Sequence, residues 1–523
     1  MAITDFFDRG WRGDPEGIAF VAGDREYTYA EIGELSCRVA NALLQQGLAP
    51  ETKGAVLAGN DPLAWACVLG LWRAGLAWVP VNPANPPEEI QRLLSGFDCE
   101  VLFCHEQFLP VVAKLRTELE QMRTVVSLGS DTAVAASADA RVLDEFLAGA
   151  TGDVPDYIPG ADGVAGIMPT GGTTGAPKGV MNTHRSLTVS AVHQMLAAPY
   201  PANKKIVNLV AAPMTHTAGT LTLPCTARGG TVVVMTRPDP VALLDLIEKR
   251  RVTEIFLPPT VIYRLLEIPG IEQRDFSSLE YLMYGSAPMS TEKLRRAIEV
   301  FGPVLHQGYG QTEAPSGIAF LRPEDHFRDG QIADDTRLSA AGRPGPMVRV
   351  EVMDNDGKIL PVGQPGEICV RGDLVMKGYY NAPEKTAETI IDGWLHTGDV
   401  GYLDTEGFLH ITDRKKDMII SGGFNVYPSE VEQVFWSHPA VQDCAVIGTP
   451  HQDWGEAVTA VVELNEGAEV SEEELIAYCR PTLGGIRTPK KVVFVAELPR
   501  SANGKVLKKD VRESFWRGHE RQI

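Results

Sequence analysis

Thr170-Gly171-Gly172-Thr173-Thr174-Gly175-Ala176-Pro177-Lys178-Gly179 is the stretch on which the reading of this chain turns. So many glycines in ten residues cannot sustain the interior of a helix or a strand. They can form a loop whose bare N–H groups and threonine hydroxyls surround a polyphosphate, with Lys178 adding positive charge. The spacing is not that of a Walker A loop, which ends in Gly-Lys-Ser/Thr; here Gly179 and Val180 follow the lysine.

Around that loop the chain has the pattern of an α/β protein. Thr28-Tyr29-Ala30-Glu31 is a capping box, followed at helical spacing by Ile32, Leu35, Val39 and Leu43 and stopped by Gly47. Asp61 opens a second apolar helix through Trp65, Leu69 and Leu71 to Gly75. Strand-like runs at 206–210, 231–235, 254–257 and 280–284 are interleaved with helical stretches at 240–250 and 291–301, which predicts α/β sheets. After Asp413 the texture changes. A helix near 428–436, strands near 441–447, 457–464 and 491–495, and a helix from Ser471 predict a smaller α+β unit. The charged run Asp413-Arg414-Lys415-Lys416-Asp417 marks the junction, dividing the chain into residues 1–413 and 414–523.

With 523 residues, 44% of them hydrophobic and 22% charged, the composition is that of an ordinary globular protein. A formal net charge of −20 argues against an electrostatic grip on nucleic acid or an anionic membrane. The most apolar region, 54–81, is interrupted by Asn60, Asp61 and Arg73 and reads as a buried strand and helix, not a membrane span. The start, MAITDFFDRGWRGDPEG, lacks the basic-then-apolar pattern of a secretory signal, and the end, HERQI, is no peroxisomal or prenylation address. Eight cysteines without a CxxC pair suit reduced thiols, so the expected location is the cytoplasm.

A second motif, HQGYGQTE, spans His306 to Glu313 after the strand-like Pro303-Val304-Leu305. Tyr309, between Gly308 and Gly310, reads as an exposed flat ring able to stack on a purine. Thr312 offers a hydroxyl to a phosphate, and Glu313 a carboxylate to Mg²⁺. The pairing of TGGTTGAPKG with GYGQTE resembles the adenylate-forming superfamily of acyl- and aryl-CoA synthetases, peptide-synthetase adenylation domains and luciferases. Blocks at 394–417 (WLHTGDVGYLDTEGFLHITDRKKD), 421–432 (SGGFNVYPSEVE) and 498–509 (LPRSANGKVLKK) follow in the order of that family, and EYTYAEI and Gly285-Ser286-Ala287-Pro288 also fit.

The resemblance implies a large N-terminal AMP-binding domain with an acyl pocket, built of several subdomains, and a small mobile C-terminal domain carrying a catalytic lysine. It implies ATP, Mg²⁺ and coenzyme A as the small molecules used, with a carboxylic acid as substrate. Thr170 to Lys178 would hold the β- and γ-phosphates. Tyr309 and Gly285-Ser286-Ala287 would sandwich adenine, with Gln307 near its amino edge and Gly308, Gly310 and Gln311 completing the segment. Thr312 would touch the α-phosphate and Glu313 the magnesium. Asp399, assisted by Arg414, would accept the ribose hydroxyls. Lys505 would bridge the carboxylate and the α-phosphate, and Lys416 would sit at the hinge. After rotation the Gly422-Gly423 loop would approach the pantetheine thiol. His216 matches a position beside the acyl site, either catalytic or only lining it.

Two departures stand out. Gly171 replaces a serine common in relatives, removing a hydroxyl, and LGGIRTPKK (483–491) differs from the commoner Tyr-Lys form, which bears on the coenzyme A contacts. Ala212 to Gly219 and Ala314-Pro315-Ser316 carry no acidic residue to meet a substrate ammonium. With Met214, His216, Gly219, Ala287 and Ala314 as lining, the expected acid has an apolar aryl, alicyclic or medium-chain body. No carrier-protein motif is attached, which favours free coenzyme A. Loading of a carrier protein, or a luciferase-type oxygenation, are the alternatives, and a homodimer is compatible with the resemblance.

Overall fold

The computed structural model describes residues 1–170, 178–215, 217–236, 239–500 and 506–517. The expectations for Gly171, Gly172, Thr173, Thr174, Gly175, His216 and Lys505 fall outside these residues.

Local sequence signals set many of the elements. Thr28 Oγ1 accepts from Glu31 N at 3.1 Å and Glu31 Oε2 from Thr28 N at 2.7 Å, so the capping box opens the helix Tyr29–Gln45. Asp61 Oδ1 accepts from Leu63 N at 2.6 Å and Ala64 N at 3.1 Å, opening Pro62–Arg73. That helix lies between the strands Lys53–Leu57 and Ala77–Val81, so the apolar region is a strand–helix–strand unit. Among the described residues no helix is long and apolar enough to cross a membrane.

Two large sheets form the body. The first orders its nine strands as Arg343–Pro344, Ala314–Leu321, Leu305–Gln311, Tyr281–Gly285, Glu254–Leu257, Val207–Val210, Thr231–Val234, Ile18–Ala22 and Arg25–Thr28. Its central pairings are parallel. The second, of eight strands, has Lys53–Leu57 flanked by Ala77–Val81 and Cys99–Cys104, and ends in the run Val164–Thr170, Lys178–Thr183, Gly378–Tyr379. One hydrophobic core joins residues of both sheets, such as Val210, Val232 and Val56, through the helices Tyr29–Gln45, Pro62–Arg73 and Thr217–Ala227. Trp65, Trp72 and Trp78 sit at its centre in mutual edge-to-face contact, with centroids 5.8–5.9 Å apart.

A five-stranded sheet containing Gly366–Arg371, Trp394–Leu403 and Leu409–Arg414 follows. The next sheet begins at Ile419 and contains Phe424–Val426, Val441–His451, Gly455–Leu464 and Lys491–Val495. It has its own core, around Val431, Phe435, Val446 and Ala460.

The helices Pro240–Arg250, Thr291–Phe301 and Pro428–Trp436 have the bounds the sequence pattern predicts. HQGYGQTE differs from its reading as a segment following a strand. Leu305–Gln311 is itself a strand, paired in parallel with Tyr281–Gly285 and antiparallel with Ala314–Leu321. Two flanking partners satisfy its backbone, which outweighs the poor strand propensity of its glycines.

Candidate active site

Three sheets meet where the motifs fall. Thr170 and Lys178 face each other at the paired ends of Val164–Thr170 and Lys178–Thr183, with Thr170 Oγ1 3.4 Å from Lys178 O. Lys178 Nζ lies 5.0 Å from the centroid of the Tyr379 ring. The Tyr379 hydroxyl donates to Glu313 Oε1 at 2.8 Å, while Met376 N donates to Glu313 O at 2.8 Å. Burial, and then the Glu313 carboxylate, push the Tyr379 phenol well above its usual range, so it remains a donor. Asn182 Nδ2 donates to Thr312 O at 3.1 Å, fixing the main chain beside Glu313 from the neighbouring sheet.

The segment expected at adenine is built on close backbone approach. A Cβ on Gly285 would lie 2.5 Å from Gly308 O, and one on Gly310 would lie 2.6 Å from Ser316 N, so glycine is required at both positions. Ser286 holds φ at 68°, a left-handed conformation at the turn leaving the strand, and is exposed; Ala287 is half-buried. Gln307 Oε1 accepts from the Tyr284 hydroxyl at 3.3 Å.

Tyr309 departs from the expected exposed ring. It is half-buried, and its hydroxyl donates to Asp399 Oδ2 at 2.7 Å. Burial and the Asp399 charge hold its phenol far above the usual range. Arg414 Nε approaches the other carboxylate oxygen, Oδ1, at 3.5 Å, and Asp399 and Arg414 are partners across adjacent strands. Asp399 is therefore oriented by a donor on each oxygen, and each oxygen retains a further lone pair for a ligand hydroxyl. Glu367 Oε1 accepts from Gly398 N at 3.1 Å and supports the backbone just before Asp399.

Of the expected acyl-pocket residues, Met214, Gly219 and Ala314 are buried, and Ala287 is half-buried. A side chain on Gly219 would meet Met214 O at 2.0 Å, so this glycine permits close packing and has no open face. Ala314 is fully buried in a cluster with Val180, Val189 and Ile318. Met214 is buried in the main core, and its N–H donates to Asn60 Oδ1 at 2.8 Å. Asn60 Nδ2 in turn donates to Ala212 O and Met235 O, both at 3.1 Å, pinning this segment. Small neutral residues in a sequence do not reveal which face of an element they occupy, and here packing takes two of them.

Lys416 is exposed, and partial desolvation and the nearby Arg414 lower its ammonium. Gly422 and Gly423, with φ of 57° and 83°, form the two-residue turn joining Ile419–Ser421 to Phe424–Val426, as a primed hairpin turn requires. Gly422 N donates to Trp454 O at 3.0 Å. Tyr379, Asn182 and Asn60 were not visible in the sequence as site residues.

The AMP-binding enzyme family matches residues 7–380, and the AMP-binding enzyme C-terminal domain matches residues 430–505. A feruloyl-CoA synthase of Amycolatopsis sp is 36% identical over 506 residues, covering 96% of this chain and 97% of that protein. The medium/long-chain-fatty-acid–CoA ligase FadD8 of Mycobacterium tuberculosis is 42% identical over 369 residues, which cover 69% of this chain and 63% of FadD8. The solved structure of the amide bond synthetase McbA from Marinactinospora thermotolerans superposes with a TM-score of 0.87 at 34% identity, covering 98% of this chain and 100% of that one. With both family matches in chain order, the chain belongs to the AMP-binding enzyme family within the adenylate-forming superfamily.

Proposed function

We propose that the protein is an ATP-dependent carboxylic acid:CoA ligase acting on an apolar aryl, alicyclic or medium-chain acid. The observation that carries this reading is the junction of Lys178, Tyr379 and Glu313, in a chain whose Tyr309 is joined to Asp399. It sets a cation, an anchored carboxylate and a ribose-type acceptor on elements of three sheets. The named activities of the feruloyl-CoA synthase and of FadD8 support coenzyme A as acceptor and an apolar acid as substrate.

The chemistry follows from what a carboxylate lacks. Its oxide is a poor leaving group, so a thiol cannot displace it. In the first step a carboxylate oxygen attacks the α-phosphorus of ATP, the bond to the β-phosphate oxygen breaks, and pyrophosphate leaves with a mixed anhydride remaining. In the second, the thiol of coenzyme A loses its proton and attacks the acyl carbon, and AMP leaves. Lys178 with residues 170–177 would bind the outgoing phosphates, Thr312 the α-phosphate, and Asp399 the ribose. Lys505 would stabilise charge between the two approaching anions.

Among the described residues no three His, Cys, Asp or Glu side chains form a complete metal cage. Glu313, with the Thr312 hydroxyl next in the chain, is a hard oxygen donor set that needs substrate phosphates to complete it, which suits magnesium. When bound, that ion would neutralise phosphate charge. We also take residues 1–413 as the body and 414–523 as the moving unit, with Lys416 as pivot. The change of sheet between Arg414 and Ile419 supports this division.

The test is pyrophosphate release over a panel of carboxylic acids with and without coenzyme A. Acid-dependent release, with thioester formed only when coenzyme A is present, is expected. Release from no acid in a broad apolar panel would sink the reading.

A further inference from the structure

The helix Pro428–Trp436 begins without a side-chain cap of its own: its N-cap residue, Tyr427, makes no such bond. The missing partner comes from the other side of the junction. Asp413 Oδ2 accepts from Ser429 N at 2.9 Å, and the Ser429 hydroxyl donates to Thr412 O. A carboxylate at a helix N-terminus satisfies an orphan amide and meets the positive end of the helix dipole. Four residues on, Gln433 makes the reverse contact. Its Oε1 accepts from Thr291 N at 3.4 Å and its Nε2 donates to Met289 O at 3.1 Å. Thr291 is the first residue of the helix Thr291–Phe301, so that amide too is an orphan of a first turn.

Ser429 and Gln433, at i and i+4, share one stripe of their helix. Val431 and Phe435 pack into the core of the smaller sheet on another side. Each unit thus caps a helix of the other. Met289 directly follows Gly285-Ser286-Ala287-Pro288, the segment that the family resemblance assigns to adenine. In this arrangement Gly422, Gly423 and Phe424 are exposed, so the hairpin assigned to the thiol step is not docked on the body.

We propose that this reciprocal capping, Asp413 to Ser429 and Gln433 to Met289 and Thr291, is a lock that holds the smaller unit in the adenylation arrangement and couples it to the adenine segment. The inference rests on the two-step ligase reading. Rotation about Lys416 carries Ser429 and Gln433 away from Asp413 and Thr291, so the lock must open before acyl transfer. Asp413 and Gln433 are positioning residues; neither touches the reacting atoms.

The experiment compares wild type, Gln433→Ala, Asp413→Ala and Asp413→Asn in separated half-reactions. Adenylation is followed by acid-dependent ATP–pyrophosphate exchange, and transfer by thioester formation from supplied acyl-adenylate and coenzyme A. Each alanine variant should lose about three- to thirtyfold in the kcat of adenylation, the loss expected of one or two hydrogen bonds. KM for ATP and acid should hold, and transfer should be undiminished. Asp413→Asn keeps an acceptor for Ser429 N and should recover most of the loss. Equal losses in both half-reactions, or no loss in either, would overturn the lock while leaving the ligase reading intact. A wild-type enzyme that shows no exchange with any acid would overturn the ligase reading itself, and the lock with it.

Discussion

Replacing Tyr379 by phenylalanine removes one hydroxyl and keeps everything else around it. The ring is 6% exposed, packed in the cluster with Val180 and Leu374, and lies 5.0 Å from the Lys178 ammonium. Phenylalanine fills the same space and preserves that cation–π contact. What disappears is the 2.8 Å hydrogen bond to Glu313 Oε1. The Glu313 backbone remains held by Met376 N, so at Glu313 the loss falls on the orientation of the carboxylate. A hydrogen bond to an ionised group contributes about 1.5–3 kcal/mol, and about 1.4 kcal/mol corresponds to tenfold. Adenylation should therefore slow by about ten- to a hundredfold in kcat/KM. Because the carboxylate is the proposed magnesium ligand, half-saturation by magnesium should rise as well. The assay is acid-dependent pyrophosphate release across a magnesium titration, with thermal unfolding as a control for folding. A variant indistinguishable from wild type in rate and in magnesium response would refute the role given to Tyr379.

Gly285→Ala places a Cβ 2.5 Å from Gly308 O and must push two paired strands apart. ATP affinity, measured by equilibrium binding, should fall, and unchanged affinity would remove this segment from the nucleotide site. Lys416→Pro fixes φ near about −65° and should spare adenylation while thioester synthesis falls much further; equal losses would count against a pivot there. Acid should destabilise the fold through its buried histidines. Burial lowers His184 and His326 to about 4 and His306 to about 3. Their folded pKa values lie below the unfolded value of about 6.5, so the unfolded chain binds the extra protons. The stability they contribute is complete above about pH 6.5 and is lost as pH falls toward the folded values, at up to about 1.4 kcal/mol per pH unit for each. Denaturant midpoints that stay flat between about pH 7 and pH 5 would contradict this.

Much of the architecture was legible because its signals are local. Thr28 and Asp61 cap their helices as short-range motifs require. The motif residues could be listed from the sequence for the same reason. Their partners could not. Tyr379 reaches Glu313, and Asn182 reaches Thr312, only because strands from two sheets end side by side. Tyr309 read as an exposed ring because two glycines flank it, yet its hydroxyl finds Asp399 on a third sheet. Gly219 and Ala314 read as pocket lining from size and neutrality alone, whereas close packing decides their place. Juxtaposition across sheets is a property of topology, which a linear pattern does not encode.

The central claim is that activation and transfer are separate steps, with Lys505 serving only the first. It is tested by giving Lys505→Ala two tasks: exchange of pyrophosphate with acid and ATP, and formation of thioester from chemically made acyl-adenylate and coenzyme A. The account predicts a loss of about 10²–10³ or more in the first, as for removal of a preorganised charge-stabilising group, and near-wild-type rates in the second. Parallel collapse of both steps, in a protein that remains folded and binds ATP, would contradict it.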